Sequence, residues 1–188
     1  MVRQLLNYYY AERKTNSMDK KRRVKTLGSL LFIIYLLFLV WIILFKLQFS
    51  LNDIDPIRFV NLIPFHYTNA VSELFQIKEI RDNVLIFIPF GILLSMLAPK
   101  MNLRSKILII FGTSFAFETM QYILSIGVTD ITDLITNVSG GIIGIFSYAF
   151  LLKLVKDKQR IDAAISIFGS ILAVLFSGLM SILLLANQ

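Results

Sequence analysis

Residues 28–47 are almost uninterrupted apolar sequence, Trp41 among them, and Lys46 is their only charge. A run of that length crosses a hydrocarbon core of about 30 Å, where a backbone must satisfy its own hydrogen bonds, so it reads as a transmembrane helix. Further apolar runs follow at residues 83–98, 107–126, 133–152 and 163–185. The expected fold class is therefore an all-α polytopic membrane protein, a bundle of about five transmembrane helices.

Composition agrees. Mean hydropathy is +0.73 and 16% of residues are charged, against the roughly 25% of ordinary soluble domains. A net charge of +7 would suggest nucleic acid in a soluble protein, but membrane proteins collect Lys and Arg in their cytoplasmic loops. Membrane lipids, and no nucleic acid, are the expected partners. Cysteine is absent and His66 is the single histidine, so disulfides, thiolate metal sites and any pair of imidazoles from one chain are excluded. A lone interfacial histidine is more often solvated or hydrogen-bonded than catalytic.

The distribution of charge gives a topology. Residues 1–26 form a basic segment expected in the cytoplasm, and 27–188 a single transmembrane domain. Met18 opens M-D-K-K-R-R-V-K, itself a suitable start, so residues 1–17 are treated as an extension without assigned fold, disordered or interfacial. The first span lacks the short core and small-residue cleavage site of a signal peptide and reads as a retained anchor. Counting from a cytoplasmic amino terminus, the inside segments hold eight, three and four Lys and Arg, fifteen of nineteen; outside lie Lys46, Arg58, Lys78 and Arg81. That bias predicts a multi-pass cell membrane protein with its amino terminus cytoplasmic and its carboxyl terminus outside.

In the first outside loop, N-L-I-P-F (Asn61 to Phe65) is too short to span and reads as a re-entrant or interfacial segment. Residues 70–80 suit a short amphipathic surface helix. Pro89 and Gly91 inside the second span free backbone groups that neighbours must satisfy, so this helix is expected to pack internally. Gly140, Gly141 and Gly144 at G-G-x-x-G spacing predict a close helix-packing face.

Ionisable and amide side chains inside apolar sequence mark functional sites by default. Glu118, Gln121 and Tyr122 lie at i, i+3 and i+4 on one helix face, and Asp133 and Asn137 are four apart on the next helix. Arg81 and Asn83 open the second span, and Asn61 belongs to the first outside loop. Convergence of these segments on an outward-facing polar cavity is expected, because each group alone in lipid would cost several kcal/mol. The candidate ligand-binding residues are Asn61, Arg81, Asn83, Glu118, Gln121, Tyr122, Asp133 and Asn137. The catalytic candidates are Glu118, Asp130 and Asp133, with Asp130 and Asp133 equally well explained as helix caps. The sequence permits a metal on the three carboxylates but does not favour one, and no metal or cofactor is assigned.

Four spaced motifs run from Asn61 to Gly144: N-x-x-P-F (Asn61, Pro64, Phe65), N-x-x-x-F-x-P-x-G (Asn83, Phe87, Pro89, Gly91), E-x-x-Q (Glu118, Gln121) and D-I-x-D-x-x-x-N-x-x-G-G-x-x-G (Asp130, Asp133, Asn137, Gly140, Gly141, Gly144), within a resemblance over about residues 28–152. Together they resemble the VanZ-like family of bacterial membrane proteins, first associated with low-level resistance to the glycopeptide teicoplanin. Two features depart from that family. Arg81 stands closer to Asn83 than the family's arginine, and Gly127, Val128 and Thr132 replace a basic and an acidic residue around the D-I-x-D motif.

The resemblance implies an envelope function in glycopeptide or lipoglycopeptide susceptibility. The expected ligand is lipid-tailed, either the antibiotic or a cell-wall lipid precursor. The alternative is an intramembrane enzyme acting on a cell-wall lipid, with Glu118 as acid or base; no phosphate-cradling Gly loop supports nucleotide chemistry. A transporter would need a polar path to both faces, and the cytoplasmic halves of the spans read as apolar.

Overall fold

The computed structural model describes residues 1–45, 57–65 and 70–186. The chain order is α1 (Val2–Phe45), β1 (Ile57–Asn61), α2 (Ala70–Leu97), α3 (Leu103–Leu124), β2 (Ile126–Asp130), α4 (Ile131–Val155) and α5 (Lys158–Ala186). All five helices are long and apolar enough to cross a membrane, and the molecule is a multi-pass membrane protein. His66 and the neighbouring stretches 46–56 and 66–69 lie outside the described residues.

Helix α1 begins at Val2 and runs unbroken into the first span, which replaces the expected extension without assigned fold over residues 1–17 by continuous helix. The physical reason is visible: no glycine or proline occurs before Gly28, so nothing ends the helix that the apolar run starts. At 44 residues it is about 66 Å long, twice what the hydrocarbon needs. Helix α2 likewise absorbs residues 70–80, expected as a separate surface helix, into one 28-residue element with Pro89 inside.

The chain leaves α3 through Ser125, in the left-handed region at φ 56°, whose N–H caps the Gln121 and Tyr122 carbonyls. It then extends as β2, which pairs in parallel with β1 from Ile57↔Ile126 to Asn61↔Asp130. Parallel strands require a long crossover, supplied here by α2 and α3. Two strands alone are marginal, and this pair is tied to α3 by Thr129, whose hydroxyl donates to the Glu118 carbonyl at 3.1 Å. The segment at Asn61 to Phe65 is thus a strand end followed by a turn, with Leu62, Ile63 and Phe65 exposed.

The core is the contact of α2 with α4. A Cβ on Gly91 would lie 2.0 Å from the Gly141 carbonyl oxygen, and one on Gly144 2.1 Å from that of Ile88. The two backbones touch, and only hydrogen fits between them. Around this seam Leu39, Phe87, Phe90, Ile110, Phe117 and Ile145 are buried together. Tyr35 of α1 donates its hydroxyl to the Ile86 carbonyl, inside the α2 turn that Pro89 deprives of an N–H. Helix α5 is peripheral. It meets α1 through Leu31 against Gly169 and Phe38 against Phe176, and it exposes Ile167, Phe168, Leu175 and Ile182 where acyl chains would cover them.

The bundle has two unlike ends. The strand end carries β1, β2 and the start of α4. The basic end gathers Lys20 to Lys25, the α2–α3 turn and the α4–α5 turn.

Candidate functional site

Strand pairing sets the strand end's geometry. Opposite registration of Asn61 and Asp130 brings the Asn61 amide to Asp130 Oδ2 at 3.0 Å. Asp130 is also the N-cap of α4, its Oδ1 accepting from the Thr132 N–H at 2.7 Å. The capping explanation weighed from sequence is therefore part of its role, worth about 1 kcal/mol. The Asp130 N–H in turn donates to Glu118 Oε2 at 3.0 Å. Glu118 is 4% exposed, and a carboxyl group so buried is tolerable because the Asp130 N–H stands in for water on one of its oxygens.

A second strut joins α2 to α4: Asn83 Nδ2 donates to Asp133 Oδ1 at 2.8 Å. Deeper in the bundle, Asn137 Nδ2 donates to Ser114 Oγ at 3.0 Å. Ser114 lies one turn below Glu118 on α3, about 6 Å at helical rise. Gln121, one turn above, donates Nε2 to the Ile43 carbonyl of α1 at 3.0 Å. Ser114, Phe117, Glu118 and Gln121 are the buried face of α3, at the i, i+3, i+4, i+7 spacing of a core-facing stripe.

The structure thus sorts the candidates. Asn61, Asp130 and Glu118 form one connected network, Asn83 and Asp133 a second contact beside it, and Gln121 and Asn137 buried contacts on either side of Glu118 along α3. Tyr122 shares the helix but is 44% exposed. Arg81 does not join Glu118: its guanidinium pairs with Asp82 at 2.8 Å, and the two side chains are 60% and 46% exposed. Among the described residues, no three of Asp, Glu and His converge as a metal site requires.

Several contributors were not singled out from sequence. Ser114 had a signal, lying four residues before Glu118 on the same face. Thr132 accepts from the Phe65 N–H at 3.1 Å, and Thr129 anchors β2; both depend on strand pairing that no local pattern announced. At the basic end, Tyr148, Lys158 and Asp162 form a further cluster. Beside it lies a cavity of about 1250 Å³ between α1, the α2–α3 turn and the α4–α5 turn.

Comparison with known proteins gives this geometry a context. A protein-family model described as VanZ/LLP1 matches residues 32–153. The chain is similar to "Protein VanZ" of Enterococcus faecium, 38% identical over 153 residues, which is 80% of this chain and 91% of that protein. No solved structure matches. The matched region takes in the strand-end network from Asn61 to Asn137, and the chain belongs to the VanZ/LLP1 family.

Proposed function

We propose that this protein contributes to resistance toward teicoplanin-type glycopeptide and lipoglycopeptide antibiotics, by recognising at its strand end a lipid-tailed ligand held in the membrane. That ligand is the antibiotic's own acyl-bearing end or a cell-wall lipid precursor. In this reading the amino terminus is cytoplasmic, and the strand end and carboxyl terminus face outside, as the concentration of fifteen of nineteen Lys and Arg at the other end supports.

One observation carries the reading. Gln121 Oε1 and Asn137 Oδ1 are buried and have no hydrogen-bond partner among the described residues, although their side chains are held in place through their amide nitrogens. Buried polar atoms of this kind are rare, and each costs about 1–3 kcal/mol. They are acceptors poised on both sides of Glu118, suited to the hydroxyl or amide N–H groups of an amphiphile's polar part.

The test is teicoplanin susceptibility of cells expressing Glu118→Gln and Asp133→Asn at wild-type levels. The expected outcome is loss of most protection in both. Full protection by both variants removes the strand end from the function. Incubation of the purified protein with cell-wall lipids, followed by mass spectrometry, tests for turnover; a new product would replace recognition by catalysis at Glu118.

A further inference from the structure

The cavity at the basic end is independent of the strand-end site and of the topology proposed for it. Six lysines and two aspartates line it. Both aspartates are already engaged. Asp162 accepts from the Tyr148 hydroxyl at 2.7 Å and from Lys158 at 2.5 Å. Asp157 accepts from the Gln159 and Arg160 backbone N–H groups and pairs with the Arg160 side chain at 3.0 Å.

Lys158 is equally committed. An ammonium has three N–H donors, and this one meets three acceptors: Asp162, the Tyr148 hydroxyl at 2.9 Å and the Met96 carbonyl at 3.3 Å. It is a strut between α2, α4 and α5 and forms one wall. The other five lysines, Lys20, Lys21, Lys25, Lys100 and Lys156, enter no ion pair among the described residues. They come from three separate segments, and what they surround is a hollow with a uniform excess of positive charge.

A bias of Lys and Arg toward one side of the membrane explains how many there are. It does not explain their arrangement around one cavity whose remaining wall, Gln159 apart, is apolar and includes Met96, Leu97 and Met101. Depth is also informative. Lys25 lies two residues before Leu27, where the apolar run of α1 opens, and α2 ends at Leu97. Charge and apolar surface therefore meet where a lipid's phosphate would sit.

We infer that this cavity binds the phosphate of an anionic ligand, with Lys20, Lys21, Lys25, Lys100 and Lys156 supplying the charge and the Tyr148–Asp162–Lys158 cluster holding the wall in shape. The source of the phosphate is a phospholipid headgroup or a soluble phosphate ester. Except for Lys100, the lysines that would hold it lie outside residues 32–153, so the match to the family assigns nothing here.

The test uses the full chain in nanodiscs. Native mass spectrometry would measure retained phosphatidylglycerol against phosphatidylcholine for three proteins: the wild type, the triple variant Lys21→Gln, Lys25→Gln, Lys100→Gln, and a control of equal charge change at residues that do not line the cavity, Arg13→Gln, Arg104→Gln, Lys153→Gln. Helix content by circular dichroism and melting in phosphatidylcholine verify that all three are folded. At roughly fivefold per lysine near a phosphate, the cavity variant should lose at least about tenfold of the preference and the control less than about threefold. Equal losses in both variants, or no preference in the wild type, would overturn the site. Displacement of phosphatidylglycerol by inorganic phosphate or glycerol 3-phosphate assigns the cavity to a soluble phosphate; persistence of the lipid assigns it to the headgroup.

Discussion

At the strand end, carboxylates and amides from several segments bond to one another and are buried or half-buried; at the basic end, one saturated ammonium stands beside five exposed lysines that pair with no carboxylate among the described residues. The contrast follows from where the polar residues sit in the sequence. Glu118, Gln121, Asp133 and Asn137 lie inside or at the edge of apolar helices, where a lone polar group is costly and short side chains leave few partners. The lysines lie outside the apolar spans, Lys20, Lys21 and Lys25 on the polar part of α1 and Lys100 and Lys156 just past the ends of α2 and α4, on long stems that reach water or an anion. One end is thus held by directional hydrogen bonds. The other has one such strut, at Lys158, and the charge of its remaining five lysines is free to respond to what arrives.

The largest effect expected from testing this contrast is at Glu118. Glu118→Ala leaves the Asp130 N–H without its acceptor at the root of α4, and an orphaned buried donor costs about 1–3 kcal/mol. Glu118→Gln keeps an acceptor oxygen in place and should cost clearly less. Thermal melting of the purified proteins in neutral-lipid nanodiscs gives the comparison. Equal losses would mean that charge, and not the backbone hydrogen bond, holds β2 to α3.

A smaller effect is expected at the other end. Lys158→Met removes an ion pair whose members are 41% and 17% exposed, so solvent screens part of it and the net loss should be about 1 kcal/mol or less. The same melting measurement should rank it below Glu118→Ala. The reverse ranking would make the basic end the better-ordered one and undo the distinction between the two.

The two ends also differ in how much of them was legible in the sequence. Five spans follow from length and apolarity alone, and the small residues Gly140, Gly141 and Gly144 announced a close-packing face, though not that α2 is its partner, because each is a property of one short stretch. The contact of Asn83 with Asp133 was expected as convergence, since neither could stay alone in lipid. The strand pair was not legible. Segments I-R-F-V-N and I-G-V-T-D are five residues each, and their pairing depends on a crossover through two helices that local propensity does not encode. The Asn61–Asp130 contact, 69 positions apart, came with that pairing. The basic cavity was hidden for a related reason: the lysines read as orientation signals one segment at a time, and only packing shows that three segments share a hollow.

The smallest effect is expected at Arg81, and it is informative because the sequence grouped this residue with the ligand-binding set. Its partner is the adjacent Asp82, and both are largely exposed, so Arg81→Gln should change stability by less than about 0.5 kcal/mol. It should also leave teicoplanin protection at the wild-type level, since the hydrogen bonds of Arg81 among the described residues go to Asp82 and not to the Asn61–Asp130–Glu118 network. Susceptibility and melting measured together separate two possibilities. If Arg81→Gln lowered protection as far as Glu118→Gln while the melt stayed unchanged, the ligand would have to extend to the exposed start of α2. The recognition surface would then be set by exposed charge, as at the basic end, and the buried acceptors beside Glu118 would be only part of it.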